Sequence, residues 1–380
     1  MKKIALLTDG VFPFIVGGMA KHSYYLAKYL AKRKIQVDLY HISSVEDIDI
    51  NEYYEKQELD YISFTYVKFP KSIWFPGHYI FKSYILSKYY YEKIKNKKYD
   101  IIYAQGFTSW HYLKIEPLKK SIITNLHGLE MFQRSCGIKN YFENLLLRIP
   151  AKFILKNSFN TVSLGGLLTN IIKKNIHKNS LVHVIPNGID LNVFDYKPSK
   201  IDQGKKLKLV FIGRVERRKG IEELTEFISS VIDTDVATFS FIGPIKLKDQ
   251  IKHNNVQYYG LINDPIKIRD LLIESDILVC PSYSEGMPTV ILEAMACGCA
   301  IFATDVGANR DLIDKTNGWI ISTPPNISKL NKVWLKILSE DVSLFSKKKM
   351  SIEKVKNFSW DNVGDRTLKV FQKIMTPYSS

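Results

Sequence analysis

Ile277-Leu-Val-Cys280-Pro281-Ser-Tyr-Ser-Glu285-Gly-Met-Pro288-Thr-Val-Ile-Leu-Glu293-Ala-Met-Ala-Cys297-Gly298-Cys299-Ala300-Ile-Phe-Ala-Thr304 reads as strand, loop, helix and strand. Ile277–Pro281 is a short apolar run closed by turn residues, and Ala300–Thr304 is another. Between them Pro288 suits the first turn of a helix and Gly298 suits its end. Two buried strands joined by a helix make a βαβ unit, so the sheet is parallel and the fold class is α/β.

The same rhythm extends outward. Strands are expected at Leu209–Ile212, Ala237–Ile242 and Val256–Tyr259, with helices at Ile221–Val231 and Ile266–Glu274. The first half shows it as well. Strands are expected at Lys3–Thr8, Val37–Ile42, Ser63–Phe69, Ile101–Ala104, Ile122–Leu126 and Val182–Ile185. Gly17-Gly18 opens a helix through about Arg33, and Ile80–Lys95 is a tyrosine-rich helix. The turn Pro186-Asn187-Gly188 and the lysine-rich stretch Lys197–Lys208 separate the two series. A βα alternation that stops at a linker and restarts predicts two doubly wound domains, 1–185 and 186–358.

At 46% hydrophobic and 24% charged residues the composition is globular, which excludes a disordered chain. Met1-Lys2-Lys3 followed by Ile4–Leu7 imitates a secretory leader, but the apolar stretch stops at Thr8-Asp9. No segment approaches the roughly 20 apolar residues of a membrane span, so the expected location is cytoplasmic. Four cysteines without a CxxC pair exclude a disulfide scaffold, and Cys297 and Cys299 read as small core residues. The formal charge of +16 favours phosphate-bearing partners without choosing among them.

Ligands of doubly wound sheets bind beyond the carboxyl ends of the strands. There the loop before Pro288 offers Glu285, with Glu293 inside the helix, and the unpaired amides of a helix start suit a diphosphate. Two carboxylates beside phosphate make sense as acceptors for sugar and ribose hydroxyls. After the strand Leu209–Ile212, Gly213 allows close backbone approach, and Arg214 and Lys219 could neutralise two phosphates. Arg217 and Arg218 read as a solvated basic loop. Gly17-Gly18 and the strand-end His127-Gly128 mark the first domain, each also compatible with a purely structural role.

Together these segments resemble the family-four class of retaining glycosyltransferases (glycosyl transferases group 1), whose GT-B fold has two facing Rossmann-like domains. Gly17-Gly18, His127-Gly128, Pro186-Asn187-Gly188-Ile189-Asp190, Gly213-Arg214, Lys219-Gly220 and the pair Glu285/Glu293 carry the likeness, in the family's order. Phe358-Ser359-Trp360 leads into a final helix that, by the same likeness, packs 359–380 back on the first domain.

The resemblance implies that Glu293 binds the donor ribose, Glu285 the transferred sugar, and Arg214 and Lys219 the diphosphate. Amides of Gly286, Met287, Thr289 and Val290, beside Pro288, would contact sugar and phosphate. Leu261 or Ile262 would touch the base, His127 would lie against the donor sugar, and Gly17 and Gly18 would leave space. Met287 and Arg310-Asp311 depart from the family pattern, and Lys34-Ile35 lacks its glycine-histidine.

The expected reaction is retaining transfer of a hexose or N-acetylhexosamine from a UDP- or GDP-sugar, without cofactor or metal. Asp47-Ile-Asp49 and Asp233-Thr-Asp235 have the form of metal motifs, but the second lies at the wrong end of a strand. The expected acceptor is a glycan or a lipid-linked sugar. Tyr79–Tyr99 and Leu145–Lys156 mix aromatic or aliphatic residues with cations, which suits either lysine-coated Rossmann helices or contact with an anionic membrane. No nucleic-acid motif appears, so no nucleic-acid partner is expected.

Overall fold

The computed structural model describes residues 3–15, 17–42, 49–67, 77–194, 196, 206–339 and 341–376. Met1-Lys2, Asp47-Ile48 of the first acidic motif, the last two residues of the strand expected at Ser63–Phe69, residues 197–205 of the linker and residues 377–380 lie outside them. The described residues form two units, one drawn from Met1–Phe132, Lys139–Asn187 and Trp360–Ser380, the other from Gln133–Ile138 and Gly188–Ser359.

The first unit has a sheet of β1 (Lys3–Leu7), β2 (Gln36–Ile42), β3 (Ile62–Val67), β4 (Ile101–Gln105), β5 (Ile122–Asn125), β6 (Asn160–Ser163) and β7 (Leu181–Val184). All pairings are parallel, in the order β3-β2-β1-β4-β5-β6-β7. Its helices are α1 (Gly18–Lys32), α2 (Lys56–Leu59), α3 (His78–Ile94), α4 (Trp110–Ile115), α5 (Ile138–Asn157) and α6 (Gly166–Lys173). Leu6 sits in register with Leu39 on one side and Tyr103 on the other, and Leu26 and Leu30 of α1 close the core above them.

The second unit has β8 (Leu207–Ile212), β9 (Ala237–Ile242), β10 (Val256–Tyr258), β11 (Ile277–Cys280), β12 (Ala300–Thr304) and β13 (Gly318–Ile321). They too are parallel, in the order β10-β9-β8-β11-β12-β13. Helices α7 (Ile221–Val231), α8 (Pro265–Ile273), α9 (Thr289–Ala296), α10 (Asn309–Leu312), α11 (Ile327–Ser339) and α12 (Asp341–Val355) follow. Phe211, Phe239 and Phe302 of the sheet pack with Phe227 of α7 and Trp334 of α11.

The last helix, α13 (Trp360–Met375), belongs to the first unit. Val363 and Phe371 join the core there, Trp360 stacks on Tyr25 at 5.3 Å, and the Tyr29 hydroxyl donates to Asp365. Both sheets reverse their winding once, between β1 and β4 and between β8 and β11. A ligand crevice opens at the carboxyl ends of such a strand pair.

Candidate active site

In the second unit the loops after β8 and β11 are in backbone contact. Gly220 has φ +69°, and a Cβ there would stand 2.0 Å from the Pro281 carbonyl oxygen, so only glycine fits. Just before it, Lys219 Nζ reaches Glu285 Oε1 at 2.5 Å, and Ser282 Oγ donates to the same oxygen at 2.7 Å. These side chains are 14% and 6% exposed, so the pair lies in a poorly hydrated setting. Burial pushes the Glu285 carboxyl up, but the charges of Lys219 and Arg218 outweigh it and hold the group below its ordinary 4.5. Glu285 is therefore an anion at neutral pH.

The expectation of a solvated Arg217 and Arg218 is corrected. Arg217–Lys219 forms a 3-10 turn, whose three residues per turn send successive side chains in three directions. Arg217 grips both oxygens of Glu223 at 2.9 and 2.6 Å and donates to the Tyr283 hydroxyl. Arg218 Nε donates to Glu216 at 2.7 Å, and its other nitrogen lies 3.7 Å from Glu285 Oε2. Arg214 is 70% exposed and contacts the other Glu216 oxygen at 3.0 Å. Thus Lys219 and Glu285 meet directly, whereas Arg214 is tied to them only through Glu216 and Arg218.

The loop before α9 is fixed from two further sides. Gly286 accepts from the Ala308 amide at 2.8 Å, and Gly307, at φ +54°, leaves no room for a Cβ against Gly286 O (2.2 Å) or Glu285 O (2.4 Å). Gln133 donates to Glu285 O at 2.6 Å and accepts from Gly307 N at 3.2 Å. Pro288, expected from sequence to open the helix, is instead the N-cap of α9, which starts one residue later, because the ψ of Pro288, 119°, is extended. At the other end Gly298 (φ +77°) supports two reverse bonds, Gly298 N to Met295 O and Cys299 N to Ala294 O, the pattern that satisfies terminal carbonyls. Met287 and Glu293 are buried, and Thr289 and Val290 are half-buried. Gly213 bonds to Ile242 O and Gly243 to Gly260 O, aligning the ends of β8, β9 and β10; Leu261, 64% exposed, and Ile262 follow Gly260.

The cysteines near this loop are poor nucleophiles, since burial pushes the thiols of Cys280 and Cys299 up to about 11 and about 12. Asp235 shapes a turn before β9, accepting from Asn255 Nδ2 at 2.8 Å and from Lys206. Asp49 accepts from the Asn51 amide at 2.9 Å.

In the first unit Asp9 follows β1 and His127 follows β5, around the other switch point. Burial raises the Asp9 carboxyl to about 6. His127 takes φ +56°, faces Gln105 Oε1 at 3.1 Å and meets the His22 ring edge-on at 5.0 Å. Burial and then His22 hold it well below the ordinary histidine range, so it is neutral. Gln105 Nε2, fully buried, has no hydrogen-bond partner among the described residues. A Cβ on Gly17 would meet nothing within 4 Å, and the first turn of α1 after it holds no acidic residue.

Residues 206–340 match the family described as Glycosyl transferases group 1, and residues 16–193 match Glycosyltransferase Family 4. The chain belongs to this glycosyltransferase family. The Bacillus subtilis (strain 168) protein TuaC, named for teichuronic acid biosynthesis, is 39% identical over 140 residues, 35% of this chain and 35% of that protein. An Escherichia coli protein named UDP-Gal:alpha-D-GlcNAc-diphosphoundecaprenol alpha-1,3-galactosyltransferase is 24% identical over 253 residues, 61% of this chain and 64% of its own length. The chain therefore spans about a third of the first relative and under two thirds of the second. Sucrose-phosphate synthase from Thermosynechococcus elongatus superposes with a TM-score of 0.79 at 16% identity, covering 98% of this chain and 99% of that one, a likeness of fold. The fold of this glycosyltransferase is GT-B, with two Rossmann-like domains built on parallel sheets.

Sequence reasoning did not single out Arg218, Gln133, Gln105 or Asp9 as functional in this glycosyltransferase. Glu216 and Glu223, flanking the Arg217–Lys219 run, were the available sign that its cations are paired. Asp9 had one too, since a carboxylate directly after a buried first strand stands at a switch point. Gln133 carried no local signal, because its partners lie over 150 residues further on.

Proposed function

We propose that this glycosyltransferase moves a hexose or N-acetylhexosamine from a nucleotide-diphosphate sugar to a lipid-linked or glycan acceptor, with retention and without a metal, in cell-surface polysaccharide assembly. The observation that carries the reading is the buried contact of Lys219 with Glu285 at the mouth of α9, beside the β8–β11 switch point. Glu285 stays anionic there and can accept from sugar hydroxyls, while Lys219, Arg218, Arg214 and the α9 amides surround the place for two phosphates. Glu293 would take the ribose, Leu261 or Ile262 the base, and neutral His127 a sugar hydroxyl. UDP is the favoured base carrier, and a polyprenyl diphosphate sugar the favoured acceptor class, because the E. coli relative's name includes both.

In the reaction the bond from the anomeric carbon to the β-phosphate oxygen breaks, and the acceptor oxygen bonds to that carbon on the same face. The acceptor proton passes to the departing diphosphate. Charge grows on that diphosphate, and preoriented cations and amides stabilise it more than the ground state. Those groups do the work a divalent cation would otherwise do, which is the argument for a metal-independent step. Asp9, at the first unit's switch point, is suited to orient an acceptor hydroxyl.

A panel of UDP-, GDP- and ADP-sugars tested for thermal stabilisation names the donor, since a ligand raises the melting temperature by mass action. With that donor, Arg214→Ala, an exposed change, should lower kcat by about 100-fold. Absence of stabilisation by every nucleotide sugar, or an unaltered kcat/KM in both Arg214→Ala and Lys219→Gln, overturns the assignment.

A further inference from the structure

We infer that α5 is a docking helix that lies on an anionic lipid surface. Its outward stripe runs Ile138, Phe142, Leu145 and Ile149, spaced four, three and four residues apart, with Tyr141 and Leu146 beside it. All six are between 45% and 80% exposed, an apolar face far beyond the scattered exposed residues of an ordinary surface. The opposite face is buried at Asn144 and, from Pro150 on, along the C-terminal half. Ala151, Ile154 and Leu155 are buried, and Arg148 Nε donates to Met131 O at 2.6 Å. The helix is thus held by one side and leaves the other without a partner among the described residues.

The same stripe continues into exposed Lys152 and Lys156. Counting Lys139, Arg148, Lys152 and Lys156 against Glu143, the helix carries a net charge of +3. Aliphatic and aromatic side chains followed by long cations match a bilayer surface, where the former enter the acyl boundary and the latter reach anionic headgroups. A second copy of the chain fits less well, because a twofold contact would set two such cationic helices face to face. The helix cannot span, since no described helix is long and apolar enough to cross a membrane.

The other expected membrane helix reads differently. Tyr84 of α3 packs on Trp110 at 5.1 Å, Tyr91 packs on His111 and Tyr112 at 5.2 Å, and Tyr90 is fully buried. Tyr84 and Tyr91 thus serve the junction with α4, and Tyr90 the core. Membrane contact is thereby assigned to α5 and not to α3, and the assignment stands on this geometry independently of the acceptor proposed above.

The experiment is co-sedimentation of the full chain with vesicles of phosphatidylcholine alone and of phosphatidylcholine mixed with phosphatidylglycerol. The wild type should bind the mixed vesicles and bind them better than the neutral ones. Phe142→Ser with Ile149→Ser should cut the partition coefficient by about 10-fold or more. Lys152→Gln with Lys156→Gln should cut it by about 20-fold on mixed vesicles only. Phe81→Ser, exposed on α3, should leave it unchanged. All variants should keep the wild-type melting temperature and its donor-induced rise, so a failure of donor binding is read separately. Absence of vesicle binding by the wild type overturns the inference. So does unchanged binding of the Phe142/Ile149 variant, or a wild-type dimer that this variant alone abolishes.

Discussion

A carboxylate taken out of water is either paired with a cation or pushed towards its neutral form, and Glu285 and Asp9 show the two outcomes. Glu285 is paired, and its group lies below the ordinary 4.5 because of Lys219 and Arg218. The unfolded chain then binds more protons in the acid range, so this group's stabilisation is complete above the unfolded value and is lost as pH falls through the folded one. Thermal melts from pH 7 downward should show the wild type losing its advantage over Glu285→Gln below about pH 4.5. Lys219→Met should cost about 3 kcal/mol in urea melts at pH 7, since it strands a buried anion, and Glu285→Gln in that background should recover part of it. Asp9 has the opposite sign. Raised from 3.8 to about 6, it holds its proton longer in the native state, so stability declines as pH rises across that window. Asp9→Asn should therefore match the wild type near pH 3 and exceed it by about 3 kcal/mol at pH 7. Equal stability of the two at both pH values would remove the basis for a poised Asp9.

Between residues and whole units, the decisive piece is the loop that enters α9. Its backbone is clamped by Gly307, whose φ of +54° and 2.2 Å clearance to Gly286 O exclude any side chain. Gly307→Ala should displace the Glu285–Gly286 peptide, with kcat/KM for the donor down about 100-fold and stability down about 2 kcal/mol. Donor titration of a variant that melts normally yet binds normally would show that the loop tolerates the shift. Strand–loop–helix pieces of this kind were legible because local signals agree: an apolar run, a proline at the entry and a glycine at the exit. Other elements escaped for physical reasons. β6, Asn160-Thr-Val-Ser163, is polar in sequence but buried, Asn160 paired with His183 and Lys120 O and Ser163 with Thr169, so it lacks an apolar run. β13 opens with Gly318, which reads as a turn, although the residue is glycine because the Ile301 carbonyl leaves a Cβ only 2.1 Å. Lys34, which departs from the family's glycine, still takes φ +59° and closes α1 through Lys34 N to Ala31 O and Ile35 N to Leu30 O. Pairings such as Gln133 with Gly307 are set by tertiary packing, which a single sequence does not display.

At the scale of the molecule, the chain leaves the first unit after Asn187 and returns to it at Trp360, so the C-terminal helix stabilises the unit that the N-terminus begins. Each unit has its own apolar core, and cores of this size unfold as separate cooperative transitions unless something couples them. The residues assigned to the nucleotide and its two phosphates, from Gly213 to Glu293, all fall in the second unit. A nucleotide diphosphate should therefore raise one calorimetric transition, by about 2.7 kcal/mol at 100 times its dissociation constant, and leave the other in place. A substitution in the return helix should do the reverse. Gly364 lies flat on Tyr29, where a Cβ would come within 2.5 Å of three ring carbons. Gly364→Val should lower the ligand-insensitive transition by about 2 kcal/mol through overpacking, while the nucleotide-sensitive one stays where it was. If the nucleotide shifted both transitions equally, or if Gly364→Val moved the transition that the nucleotide raises, the donor site would draw on the first unit as much as the second. His127, given a sugar hydroxyl above, would then be the group to test next.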